Sequence, residues 1–164
     1  MVPNGVEVTG LHVNSIGNLF VSAMHPNDQY KATIGVVNEF DWNNLPDTFS
    51  ELPSTSSQTD IWHGIRTSVG TYQVLLQSGD SLSSGELAGG IYAADDGALL
   101  FTSEKPDFNA FVPTNSEGTE GYLYSTWESR PAGVSQLHLE WNEMSSEWDT
   151  IGGKMLDLSG INGG

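Results

Sequence analysis

The chain has 164 residues, the length of a single domain, and its 37% hydrophobic residues are sufficient for a buried core. Its 21 acidic residues against five Lys and Arg give a net charge of −16, which repels nucleic acid and anionic membranes and attracts divalent cations. The absence of cysteine excludes disulfides, thiolate nucleophiles and cysteine-based metal sites.

The first 37 residues predict β-strands. Val6–Val13 and Leu19–Ala23 are apolar and β-branched, and Ile16–Asn18 between them contains the Gly and Asn typical of a tight turn, so we expect a hairpin. Ala32–Val37 is an apolar run that predicts a third strand. We interpret residues 1–37 as a propeller-like β-hairpin segment.

Residues 38–69 predict a polar connection. Asn38–Asp60 holds two prolines and ends in a run of Ser and Thr, so we expect a long loop with at most one helical turn, most mobile at Ser54–Thr59. Ile61–Val69 is the one place where a short helix is expected, although Gly64 weakens it.

Residues 70–164 predict a second segment of propeller-like blades. A turn is expected at Asp95–Gly97, because Asp and Gly are the residues that hairpin turns require. Pro106–Asn109 reads as an acidic loop. Strands are expected over Thr71–Gln77, Gly90–Ala94, Ala98–Thr102, Tyr122–Trp127, Val134–Trp141, Trp148–Ile151 and Lys154–Leu158.

These short strands, arranged in meanders with almost no helix between them, predict an all-β fold. We expect an antiparallel meander that forms incomplete or permuted β-propeller blades, since the hairpins recur at a spacing of about 40 residues. The final SGINGG reads as a loop interrupted in mid-course, so we also expect that the chain is a fragment, truncated at its C-terminus.

Carboxylates beside strands and turns are the main candidate site residues. Glu128 follows the strand Tyr122–Trp127 and faces a loop region, and Glu7 and Asp107 also lie beside strands or turns. A carboxylate held in this way suits a metal or phosphate site. The alternative is that Glu128 and Arg130 are a solvated pair at a strand end.

Motifs of the common enzyme classes are absent from the sequence. It contains no phosphate-binding glycine loop, no nucleophile elbow, no zinc-protease helix motif and no EF-hand loop. Among the histidines, His25 and His63 lie at the ends of predicted elements and are better functional candidates than His12 and His138, which lie within strands.

Three stretches resemble the PhoX-type secreted alkaline phosphatases. EVTGLHVNSIGNLFVSAMHPND resembles that family's run Glu-(Val/Ile)-Thr-Gly … Asp-Gly-x-x-Leu-Phe-Val-Asn-x-Gln-His-Pro, and TYQVLLQSGDSL is similar to its early strand Tyr-x-Val-x-x-x-x-Gly-Asp-x-Leu. PDFNAFVPTNSEGTEGYLYSTWESRPAGVSQLHL is similar to the family's Asn-Asp-Tyr-x-x-Phe-x-Pro … Gly-x-Leu-x-x-Asn-His-Glu.

The resemblance implies a secreted or periplasmic β-propeller with calcium and iron at its axis, which cleaves phosphate monoesters by metal-assisted hydrolysis. By the same resemblance Glu128 and Asp107 are metal ligands, and Glu7 and His25 match two further metal-site positions. Arg130 would act as a catalytic phosphate contact.

The sequence also departs from the family pattern. Thr126-Trp127 stands where the family has Asn-His, the segment with Glu7 comes first rather than late, and the cysteine ligand of the iron centre is missing. Two hypotheses follow. The first is a PhoX-like phosphatase fragment that cannot act alone, with small phosphate esters as substrates and with the remaining blades of a longer chain, or a self-associating copy, as its partner. The second is a non-catalytic, secreted binding or scaffolding module that calcium stabilises.

Overall fold

The computed structural model describes residues 2–3, 5–25, 30–52 and 65–158. Within these residues the chain consists of β-strands and a single turn of 3₁₀ helix at Trp42–Asn44, which the carboxylate of Asp41 caps. The strands are β1 (Glu7–Val13), β2 (Leu19–Met24), β3 (Thr33–Asn38), β4 (Thr71–Gln77), β5 (Gly90–Tyr92), β6 (Leu99–Thr102), β7 (Pro106–Pro113), β8 (Glu120–Trp127), β9 (Gly133–Asn142) and β10 (Glu147–Met155).

Two four-stranded sheets make up most of the fold. The first sheet has the order β1-β2-β3-β4 and the second has the order β7-β8-β9-β10, and every neighbouring pair is antiparallel. β5 and β6 form a small separate hairpin. Each large sheet is therefore a meander in which every strand pairs with the next one along the chain.

The hydrophobic core lies between the inner faces of these two sheets. Along β2, Phe20 points into the core, where its ring stacks on Phe111 of β7 at a centroid distance of 5.2 Å. The indole of Trp148 packs edge-on against Phe111, also at 5.2 Å. Such aromatic contacts add to the apolar burial that holds the sheets together.

A buried polar cluster joins the inner faces at β1, β2 and β7. Asn109 is fully buried, and its amide nitrogen donates to the carbonyl oxygen of Gly10 (2.8 Å) and to the hydroxyl of Ser22 (2.9 Å). Its amide oxygen accepts from the hydroxyl of Ser125 (2.5 Å). Gly10 has a φ of +63°, and a side chain there would collide with the carbonyl oxygen of Asp107, so a glycine permits the close approach of β1 to β7.

A second polar bridge joins β4 to β10. The side-chain amide of Gln73 donates to the backbone carbonyl of Trp148 (2.7 Å) and accepts from its backbone N–H (2.9 Å). Asn38 donates to the same Gln73 oxygen (2.9 Å). The two sheets are thus tied by hydrogen bonds at both ends of their strand order.

The predicted all-β antiparallel meander is confirmed, and so are the turn at Asp95–Gly97 and the single helical turn in the polar connection. β4, from the predicted segment 70–164, completes the sheet that the predicted segment 1–37 begins. Whether the two meanders are propeller blades stays a prediction.

Three local predictions are wrong. Pro106–Asn109 is the first half of β7 and not a loop, because Asn109 finds its hydrogen-bond partners inside the protein. Residues 65–69 are not helical, and Ser54–Thr59 and the rest of the predicted helix lie outside the described residues. The last two predicted strands are one strand, β10, with a register shift between Thr150 and Gly152.

Candidate functional site

The first sheet is apolar on both faces. Phe20, Ile34 and Val36 point inward to the core, while the residues that alternate with the inward ones along β2 and β3 point outward. All six residues of β3 are buried. A strand that is apolar on both sides is typical of a sheet covered by other structure on both sides.

The outer face of the first sheet carries a groove of about 190 Å³, which we call the outer groove. Its floor includes Tyr72 of β4, whose ring lies across Gly35 of β3, where a side chain would collide with it. Burial raises the pKa of the Tyr72 hydroxyl above its ordinary value, and nearby Tyr30 raises it further, so this side chain stays neutral. The lining residues are Val2, Val8, Leu11, Leu19, Val21, Ser22, Ala23, Val37, Ile65, Arg66, Thr67 and Tyr72.

β1, the strand at the edge of this groove, carries apolar side chains that are exposed to solvent. Val8 is 48% exposed and Leu11 67%, and on β4, at the opposite edge of the sheet, Val74 is 49% exposed. Exposed apolar surface beside an apolar groove marks a site where another protein surface packs. The outer groove is therefore a candidate docking site in the described part of the chain.

The outer face of the second sheet has a different chemistry. The rings of Tyr122 and His138, cross-strand partners on β8 and β9, stack at 4.7 Å. His138 Nε2 lies 2.9 Å from a carboxylate oxygen of Glu120. Gln136 donates to the hydroxyl of Tyr124 (2.7 Å). This face is aromatic and acidic, with exposed apolar residues on β7.

Of the predicted metal-site residues, the structure brings Glu7 and His25 together. His25 Nε2 lies 3.6 Å from a carboxylate oxygen of Glu7, and both side chains are exposed to solvent. The β1–β2 register explains this proximity, because Glu7 is paired with Met24, the residue before His25.

The segment before Asp107 is bonded to that pair through the backbone, because the N–H of His25 donates to the carbonyl oxygen of Glu104 (3.3 Å). Asp107 is half-buried on β7. Glu128 is exposed directly after β8, where its backbone N–H donates to the carbonyl oxygen of Lys105 (2.8 Å). Arg130 is exposed two residues further on. His63 lies outside the described residues.

The geometry at these residues can be compared with what calcium requires. Calcium takes six to eight oxygen ligands. Within residues 2–3, 5–25, 30–52 and 65–158, no group of three or more His, Asp or Glu side chains is arranged to hold a metal ion. The described residues therefore do not form the donor set of such a centre, and calcium and iron binding stay predictions.

A membrane-crossing helix is not found in the described part of the chain.

Sequence reasoning missed Glu104, which connects the two sheets just before β7. One carboxylate oxygen accepts from the backbone N–H of Ala32 (2.9 Å) and the other from the hydroxyl of Ser78 (2.7 Å). No local motif marks this role. The outer groove was also missed, although the continuous apolar run Ala32–Val37 is the signal of a strand covered on both faces.

Comparison with known proteins adds no relative: no protein-family model matches the chain, and neither a curated protein nor a solved structure gives a significant match. The resemblance to PhoX-type phosphatases therefore stays a prediction.

Proposed function

We propose that this chain is a non-catalytic scaffolding module whose outer groove is covered by a further β-sheet. The observation that carries the proposal is the apolar outer face of a sheet whose inner face already packs in the core. In this view the two meanders are neighbouring propeller-like blades, and the first sheet is a middle layer.

The physical argument is one of burial. Leaving Val8, Leu11 and Val74 in water forgoes the roughly 25 cal/mol gained for each Å² of apolar surface that is buried. A covering sheet would bury these side chains together. A flat β surface suits this role, because stacked sheets pack about 10 Å apart with interdigitated side chains.

The test is binding of the neutral apolar dye Nile red at concentrations where the protein is monomeric. We expect a blue-shifted emission that Leu11→Glu abolishes. Met144→Glu is the matched control, because Met144 is 96% exposed in the β9–β10 turn, away from the groove. Equal dye binding by Leu11→Glu and by the control would refute the proposal.

The second candidate function is PhoX-like phosphate monoester hydrolysis. The proximity of Glu7 and His25, two of the residues that the resemblance selects, supports it. The test is hydrolysis of 4-nitrophenyl phosphate with added calcium and iron. Metal-dependent turnover that Glu7→Gln and Arg130→Gln each reduce would favour this function, and no turnover above the metal-only rate would refute it for this chain.

A further inference from the structure

We propose that the sheet covering the outer groove belongs to a second copy of this chain, and that the covering surface is the outer face of that copy's second sheet. The inference rests on the proposed function and adds the identity and the orientation of the partner.

The two sheets are built alike, so one packing mode can be repeated. Each has four strands in meander order, which makes β1 of the first sheet equivalent to β7 of the second. Within the molecule these equivalent strands meet. The hydroxyl of Thr9 donates to the carbonyl oxygen of Pro106 (2.9 Å), and Asn109 donates to that of Gly10 (2.8 Å).

The same two strands carry exposed apolar side chains away from the core. On β1 these are Val8 and Leu11, at 48% and 67% exposure. On β7 they are Phe108 and Val112, at 56% and 50%. Repeating the internal packing from one copy to the next places β7 of one copy against β1 of another and covers both sets of side chains.

Charge favours this unlike pairing over the symmetric pairing of two second sheets. On the second sheet, Glu120, Glu140 and Asp149 are successive cross-strand partners and form an acidic row. The described lining of the outer groove contains no acidic residue. Two second sheets packed face to face would oppose their acidic rows. Because the proposed contact joins unlike faces, it is head-to-tail and generates rings or filaments.

The test uses two double variants, each of which blocks one face. The groove variant carries Val8→Glu and Leu11→Glu, and the β7 variant carries Phe108→Glu and Val112→Glu. In sedimentation velocity we expect the wild type and Met144→Glu to associate as concentration rises, and each double variant alone to remain monomeric. An equimolar mixture of the two should form dimers and nothing larger, because only one intact pair of faces is available.

Salt provides a second readout of the partner. Copies that each carry a net charge of −16 repel one another, so added sodium chloride should strengthen self-association. A basic partner would be held less tightly as salt rises. Circular dichroism establishes that the variants are folded, and Leu11→Glu and Val112→Glu as single changes replace any double variant that is not.

Three outcomes would overturn the inference: a wild type that stays monomeric, a double variant that still dimerises alone, or a mixture that does not dimerise. Retained Nile red binding alongside a monomeric wild type would overturn only the second-copy inference. Equal Nile red binding by Leu11→Glu and by the control Met144→Glu would instead refute the proposed function.

Discussion

The buried amide of Asn109 allows a strong prediction about what holds the two sheets together. Replacing it by alanine removes both donors to Gly10 and Ser22 and the acceptor for Ser125. The buried hydroxyls of Ser22 and Ser125 lose partners at a site closed to water, and the carbonyl of the part-buried Gly10 loses one as well. Asn109→Asp restores the acceptors but not the donor to Gly10, and it adds a buried charge.

The expected magnitude follows from these contacts. Each buried polar group that loses its partner costs about 1–3 kcal/mol, so two such groups give about 2–6 kcal/mol for Asn109→Ala. This is a large part of the roughly 5–15 kcal/mol by which domains are stable. With a urea dependence of roughly 2 kcal/mol per molar, a loss of about 4 kcal/mol lowers the unfolding midpoint by about 2 M.

Urea unfolding followed by tryptophan fluorescence measures this shift, because Trp148 is buried in the same core. Asn43→Ala is the control, since Asn43 is exposed in the 3₁₀ turn and its replacement should change the free energy of unfolding by no more than about 0.5 kcal/mol. The reasoning is refuted if Asn109→Ala is as stable as this control, or if Asn109→Asp is more stable than Asn109→Ala.

Three further predictions concern the groove, pH and calcium. Gly35→Ala should destabilise the protein by about 1–3 kcal/mol and abolish Nile red binding. The reason is that the new methyl group would lie 2.6 Å from the carbonyl oxygen of Gln73 and would collide with Tyr72. An unchanged urea midpoint would contradict this prediction. Burial lowers the pKa of His12 below its ordinary value of 6.5, so the unfolded chain binds the proton more readily than the folded chain. The free energy of unfolding should therefore fall as pH decreases below about 6.5. His12→Gln should flatten this part of the stability–pH curve, and an identical slope in the variant would contradict the prediction. If Asp107 and Glu128 share a calcium ion, calcium at a hundredfold excess over Kd should stabilise the fold by about 2.7 kcal/mol. Glu128→Gln should then remove much of the calcium-dependent rise in Tm. Equal rises in Tm with magnesium, or with sodium at matched ionic strength, would indicate screening of the −16 surface instead.

Local sequence patterns predicted the strands well where side-chain alternation is regular. In β9, Leu137 and Leu139 point to the core and His138 points outward, as the period of two requires. The short turn before β2 accounts for the pairing of Val13 with Leu19, but the register shift between Thr9 and His12, which pairs Glu7 with Met24, could not be anticipated from it.

Long-range partners decided the features that could not be predicted. Asn109 looks like a loop residue until Gly10, Ser22 and Ser125 satisfy its amide from other strands. Glu104 looks like a surface carboxylate until Ala32 and Ser78 donate to it. Such contacts depend on how two sheets stack, and neither hydrophobic period nor turn chemistry carries that information.

The most direct test of the scaffolding account is cross-linking between the two outer faces. The chain contains no cysteine, so Leu11→Cys on β1 and Val112→Cys on β7 each introduce a single reactive thiol. With a short bis-maleimide, a mixture of these two variants should yield cross-linked dimers far faster than either variant alone, and far faster than either mixed with Met144→Cys. Equal cross-linking of the Met144→Cys control, or no cross-link between positions 11 and 112, would contradict the account.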